Sequence, residues 1–238
     1  LELSFAGITS ESGVAVEGTE VTFNRGKDGV AANTAVVKAT SVKQGADNNK
    51  VEVTFDQAVD GATATNVANY TIDGAVVESV TLNPVKGGKQ VAVLNLKEGS
   101  NEFTGKRNIT IENVKALGST KVMETYFINE VSLKENVAPT VVSATLTATN
   151  TVKLTFSEAV SDDTEYDFEV LVGGNSQAKV ETVSLGATTA VTTADLKIAT
   201  VDADELAKGI LLKGLDTLDI VDAAGNKLSV PTNVTVAQ

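Results

Sequence analysis

Apolar and polar residues alternate along most of this chain with a period of two. The segments "KVEVTF" (50–55), "AVVESVTL" (75–82), "KQVAVLNL" (89–96), "NITIENV" (108–114), "TVVSATLTA" (140–148), "TVKLTF" (151–156), "AKVETVSL" (178–185) and "KLSVPTNVTV" (227–236) each turn one apolar face and one polar face outward, as half-buried β-strands do. Between them lie turn-forming clusters: "GADNN" (45–49), "IDGA" (72–75), "VKGGK" (85–89), "GGNS" (173–176) and "DAAGN" (222–226). Short strands punctuated by turns about every 8–12 residues predict antiparallel β-sandwiches. Only "ATATNVANY" (62–70) and "DADELAKGILLKGL" (202–215) read as helical, each as a turn or two inserted in a connection.

The pattern repeats. "VEVTFDQAV" (51–59) and "VKLTFSEAV" (152–160) are identical at five of nine positions. The segments after these phrases correspond too: "NYTIDGAVVESVTL" with "DFEVLVGGNSQAKVETVSL", then "TIENVKALGSTK" with "TLDIVDAAGNK". Order is kept and length differences fall in loops, the mark of tandem copies of one unit of roughly 100 residues. Pro139, inside "LKENVAPTVVS" (133–143), breaks the pattern just before a fresh strand and marks the boundary. The expected organisation is therefore all-β: one sandwich over 34–136, a second over 137–238 and a short linker between. Residues 1–33, with strand-like "GTEVTFN" (18–24), are expected to be the tail of a preceding β domain or a linker segment. The opening "LELSFAGITS" has neither Met nor a basic leader, so the chain reads as a piece of something longer.

Composition narrows the chemistry. The chain has no His, Cys or Trp, which removes imidazole relays, thiolate nucleophiles, imidazole or thiolate metal sites and disulfides. Oxygen chemistry remains: opposed carboxylates, or a carboxylate and carbonyl cluster for a hard cation. With 31 acids against 19 bases the net charge is −12, which repels phosphate backbones and anionic lipid. Nucleic acid is not an expected partner, nor is membrane insertion. The adjacent Asp162 and Asp163 lack the opposed geometry and desolvated cleft of a glycosidase pair, so no enzymatic activity is expected.

The run "APTVVSATLTATNTVKLTFSEAV" (138–160), the phrase "NYTIDG" (69–74) and the closing "VDAAGNKL" (221–228) resemble the Ig-like domains repeated through bacterial surface-layer (S-layer) proteins, over residues 35–238. The resemblance implies a secreted structural protein of the bacterial cell surface whose Ig-like β-sandwiches self-assemble with other copies into a two-dimensional lattice, often with calcium supporting assembly. An alternative of another class is a spacer or adhesive Ig-like module of a wall-anchored adhesin. An accessory module of a carbohydrate-active enzyme is disfavoured by the missing aromatic platform.

Topology points to a candidate site. With strands running up and down between two sheets, the loop "SEAVSDD" (157–163) and the hairpin "DAAGN" both return to the linker end of the second sandwich. Glu158, Asp162 or Asp163, Asp222 and Asn226 are thereby expected to face Glu135 and Asn136 of the linker, an oxygen-only cluster of the kind Ca2+ takes. The competing reading is plain solvation of acidic loops. "DAAGN" also makes a good turn whatever it binds, Gly225 supplying positive φ and Asp222 capping its own backbone. The first copy offers only Asp56, "KALGST" (115–120) and an acid-free linker "NTAVV" (33–37), so its set is incomplete. Phe55 and Phe156 read as core plugs, Tyr70 as a core or corner residue, and "GKRN" (105–108) as a solvated basic loop.

Overall fold

A computed structural model describes residues 2–4, 9–11, 13, 20–22, 33–163, 165–172, 179–183, 185–230 and 234–238. In the leading segment β1 (Glu2–Ser4) pairs antiparallel with β2 (Glu20–Thr22). The "GGNS" turn lies outside the described residues.

The first sandwich contains β3 (Ala39–Gln44), β4 (Lys50–Phe55), α1 (Gly61–Ala64), β5 (Tyr70–Ile72), β6 (Val77–Leu82), β7 (Gln90–Leu96), β8 (Gly105–Ile111) and β9 (Tyr126–Leu133). Its sheets are ordered β3-β4-β7-β6 and β5-β8-β9. The second contains β10 (Val141–Ala148), β11 (Thr151–Ser161), β12 (Phe168–Val172), β13 (Lys179–Val183), β14 (Val191–Lys197), α2 (Ala203–Leu206), β15 (Ile210–Gly214), β16 (Val221–Asp222) and β17 (Val234–Thr235). Here the sheets are β10-β11-β14, with β16 on the far end of β11, and β13-β12-β15-β17. All named pairings are antiparallel. The chain is thus an all-β protein of tandem Ig-like sandwiches.

The alternation seen in the sequence becomes burial. Val51, Val53 and Phe55 of β4 point into one core; Val152, Leu154 and Phe156 of β11 do the same in the next. The buried apolar residues form two separate clusters, one from Val37 to Leu133 and one from Ala144 to Val236. Each is aliphatic and closed by few aromatic rings, Phe55 with Tyr70 in the first and Phe156 with Phe168 in the second. Tyr70 is buried and its hydroxyl donates to the Ala64 carbonyl at 2.6 Å, tying β5 to α1. That bond lets a phenol enter an apolar core without an orphaned hydroxyl.

Several local expectations change. The fourth strand differs between copies: β6 hydrogen-bonds to β7, whereas β13 hydrogen-bonds to β12 in the opposite sheet. Residues 157–161 are strand, not loop, because Val160 and Ser161 pair with Asp222 and Val221 of β16 and Val160 also faces Val191. Among its described residues, the closing segment 227–236 forms the two-residue β17 and single bridges such as Thr140 with Ser229. "GKRN" is the start of β8 and not a solvated loop: Arg107 is buried, its Nε donating to Asn101 Oδ1 at 3.1 Å, its Nη2 donating to Asn101 Oδ1 and to the Phe103 carbonyl, and its guanidinium stacking 3.5 Å from the Phe103 ring centre. Strand alternation forces this, since Arg107 shares the inward face with Ile109 and Ile111.

Candidate acidic sites at and beside the domain junction

The hairpin after β16 is built by its own acid. Asp222 Oδ1 accepts the backbone N–H groups of Gly225 at 2.7 Å and Asn226 at 2.9 Å, and Gly225 takes φ of +96°, a conformation that glycine adopts without strain. The turn therefore presents the Asn226 side chain toward the linker. Its Nδ2 donates to Glu135 Oε1 at 2.7 Å, to the Glu135 carbonyl at 3.2 Å and to Asp222 Oδ2 at 2.8 Å, while its Oδ1 accepts from Asn48 Nδ2 of the first sandwich at 2.8 Å. Asn48 Nδ2 and Lys134 Nζ both donate to the Ala224 carbonyl, at 3.1 and 3.0 Å. The two sandwiches are thus stitched at this hairpin, through the Asn226 side chain and the Ala224 carbonyl.

Glu135, Glu158, Asp222 and Asn226 come together. Glu135 Oε2 is held by the Val137 N–H at 2.7 Å. Desolvation raises the Glu135 carboxyl above its usual range, and the neighbouring Asp222 and Glu158 charges push it the same way. Glu158 is raised by desolvation first and by Asp222 second. A surface groove of about 400 Å³ runs past Thr104, Lys134, Glu135, Glu158, Ala223 and Ala224, so both glutamates remain accessible.

Asn136 and Asp162 are placed elsewhere than the junction cluster. Asn136 turns into the first sandwich: its Oδ1 accepts the Asn101 N–H at 2.8 Å, and its Nδ2 donates to Asn49 Oδ1 at 2.7 Å and the Lys97 carbonyl at 3.0 Å. It is buried where the Asn101 N–H and the Lys97 carbonyl need a partner as β9 leaves the sheet. Asp162 follows the lengthened β11, one step beyond the pairing with β16, and joins a second acidic group. Asp162, Asp163 and Asp219 each offer a carboxylate oxygen within 4.8 Å of the others.

Asp167 lies beside this group and is fully buried. Its Oδ2 accepts the Leu185 N–H at 2.6 Å, and Asp162 Oδ2 accepts the next amide, that of Gly186, at 2.5 Å. Burial pushes Asp167 up to about 6, with Asp162 and Asp163 adding like-charge repulsion against the Leu185 and Asp219 backbone hydrogen bonds. Asp219 is pushed up to about 7, first by hydrogen bonding to Asp163, then by desolvation and by Asp162. Sequence reasoning reached Asp162 and Asp163 but missed Asp167 and Asp219. The only signal for those two was an Asp immediately before a strand-like run, which by itself is ordinary loop chemistry.

The first copy is an internal contrast. The bridge between Val59 and Ala116 occupies the place of Val160 with Asp222, so Ala116 stands where Asp222 does and Gln57 where Glu158 does. There the linker is held by neutral groups: Ser119 Oγ donates to the Asn33 and Ala35 carbonyls, and Asn33 Nδ2 donates to the Leu117 carbonyl. Asp56 instead accepts the Lys38 N–H at 3.0 Å.

No protein-family model matches the chain, and no curated protein matches it. Among solved structures, the FN1–FN3 domains of chicken CNTN1 align over 100% of this chain and 78% of that one, at 10% identity and a TM-score of 0.27. The fold class rests on the strand pairings described above. Among the described residues no helix is long and apolar enough to cross a membrane.

Proposed function

We propose that this chain is a structural module of a bacterial cell-surface array of the S-layer kind, in which Ig-like sandwiches serve as rigid blocks and contact other copies of the same protein in a lattice. The observation that supports this most directly is the Asn226 junction. Its hydrogen bonds run from one sandwich to the linker and to the other sandwich, which fixes the angle between blocks, and tiling demands a fixed angle. Secretion to the cell surface belongs to the same reading.

Calcium held at the junction by the carboxylates of Glu135, Glu158 and Asp222 is part of the proposal; Asn226 turns its Nδ2 to Glu135 and Asp222 and its Oδ1 to Asn48, so it serves as a donor to these carboxylates and not as a ligand. Three clustered carboxylates with two raised glutamates favour a cation that offsets their repulsion. The first copy, with Gln57 and Ala116 in the equivalent places, provides no such set.

Electron microscopy of the purified protein dialysed with and without calcium tests the array. Ordered two-dimensional sheets are expected with calcium. Isolated rods under both conditions overturn the lattice reading in favour of a spacer of a wall-anchored adhesin.

A further inference from the structure

We infer that Phe103, on the first sandwich of one copy, docks into an aliphatic groove on the second sandwich of another copy, with Glu102 beside the ring meeting Lys227 on the groove's rim. The inference rests on the reading that copies of the chain contact one another, and it names the surfaces that meet.

Phe103 lies on the connection between β7 and β8 and is 61% exposed. A loop phenylalanine gains by folding back onto apolar surface, yet this one is held outward. Its carbonyl accepts from Arg107 Nη2 at 2.6 Å and its ring lies 3.5 Å from the guanidinium. Gly105 makes room for the ring, since a Cβ there would stand 3.4 Å from it. Arg107 itself is buried, and its acceptors are the Asn101 side chain and the Phe103 and Lys106 carbonyls, none of them a carboxylate. Burying a guanidinium without an acid is costly.

The second sandwich shows that the fold does not need this arginine. Tyr70 pairs with Ile111 as Phe168 pairs with Gly214, so Ile210 stands four positions earlier where Arg107 does, and it is buried too. An aliphatic side chain therefore suffices there. What Arg107 adds is an exposed ring fixed in one orientation, which has little freedom left to lose on docking. Ala75 and Val76 border the shallow groove beside the ring, so the apolar patch extends past it.

The receiving groove has a volume of about 440 Å³. Buried Leu218 and Leu228 floor it, and half-buried Leu215 and Val230 wall it. Lys213, Lys227 and Asp216 stand on its rim. Lys213 is paired with Glu169 at 3.3 Å, whereas Lys227 is exposed and has no ion pair among the described residues. A cation beside an aliphatic groove selects an apolar visitor with an adjacent acid, and the exposed pair Glu102 and Phe103 supplies both. A groove of about 360 Å³ on the first sandwich, past Val37, Met123 and Tyr126, carries Glu124 as well as Lys38 and so opposes Glu102. Ring and groove belong to different sandwiches. Each docked copy therefore keeps one unused half, and association runs head to tail instead of closing into a pair. One such contact is small and weak, and repetition supplies the strength.

The test mixes two complementary variants of the intact chain in calcium-free buffer and follows backbone amides by NMR. Leu215→Glu, at a half-buried position outside the buried core cluster, keeps the ring and charges the groove against Glu102. Phe103→Ser keeps the groove and lacks the ring. With the first chain isotope-labelled and the second added to about 1 mM, the amides of Glu102, Phe103 and Thr104 are expected to shift. With the labels exchanged, those of Lys213, Leu215 and Leu218 are. Neither variant alone is expected to show these shifts as its concentration rises. Glu102→Lys in the ring-bearing chain should weaken the response about tenfold or more, and Lys227→Glu in the groove-bearing chain should restore it. Absence of a response on either side overturns the contact. A response at Met123 to Tyr126 in place of Lys213 to Leu218, or a charge swap that fails to recover, overturns it as well. Calcium-dependent sheets that still form from Phe103→Ser overturn it while leaving the array reading standing. Paired shifts, with no sheets from the parent chain, uphold the contact and refute the array alone.

Discussion

Asn226 Nδ2 donates to Glu135 Oε1 at 2.7 Å across the boundary between the two sandwiches. The same side chain also accepts from Asn48, so one amide uses both ends to join the hairpin, the linker and the first sandwich. Asn226→Ala removes these side-chain bonds and leaves Glu135 Oε1 and Asp222 Oδ2 facing each other without the amide they shared, while the backbone N–H groups of Val137, Gly225 and residue 226 still bond the other oxygens. We expect a loss of about 1–3 kcal/mol of coupling between the sandwiches, with each sandwich still folded. Residual dipolar couplings should fit one alignment tensor for both sandwiches in the parent chain and two different tensors in the variant.

The two cores share no buried apolar residue, so core damage should stay local. Phe55→Ala is expected to cost the first sandwich about 3–5 kcal/mol, and Phe156→Ala to do the same to the second. Calorimetry of each variant should show one transition moved down and the other nearly unmoved. A single transition displaced equally by both substitutions would show that the junction makes the pair one cooperative unit.

Asn136 serves as both donor and acceptor for three neighbours of the first sandwich. Asn136→Ala should lower that sandwich's stability by about 1–3 kcal/mol. Asn136→Asp should be worse, because a carboxylate would then face the Asn49 oxygen and the Lys97 carbonyl with no proton to give. Urea titrations of the two variants check the order, and a more stable Asp variant would refute it.

The second acidic group makes a signed pH prediction for the metal-free protein. Asp167 and Asp219 hold their protons up to about 6 and about 7 in the folded state, against 3.8 when unfolded. Between these values the folded state binds more protons than the unfolded one, so stability falls as pH rises. The second transition should therefore move up on acidification from pH 8 toward pH 5, and Asp219→Asn should flatten that slope. Melting curves across this range in a chelating buffer measure both effects.

The acid of the repeated phrase shows how far the sequence carried. Ser157 and Glu158 replace Asp56 and Gln57, and the hairpin and linker that accompany Glu158 in the second copy are the ones the structure brings to it. Parity of strand direction was enough for that, because a strand of known length delivers its end to a known side of the sandwich. Asn136 could not be placed in the same way. Whether a linker side chain turns outward or into its own sandwich depends on which polar groups lack partners, and those belong to residues 35 to 87 positions away.

The sequence by itself determined the strands with a strong alternation, the faces they bury and the twofold repeat, because side-chain direction in a strand is a local property with period two. Only the tertiary structure decided which strands pair. It gave β6 to β7 but β13 to β12, extended β11 through Ser161 by pairing it with β16, and drew Arg107 inward onto Asn101. It also gathered Asp162, Asp163, Asp167 and Asp219 at one end of the second sandwich. Partner choice and charge convergence depend on chain segments far apart in sequence, whose meeting is set by core packing and sheet topology and leaves no periodic trace.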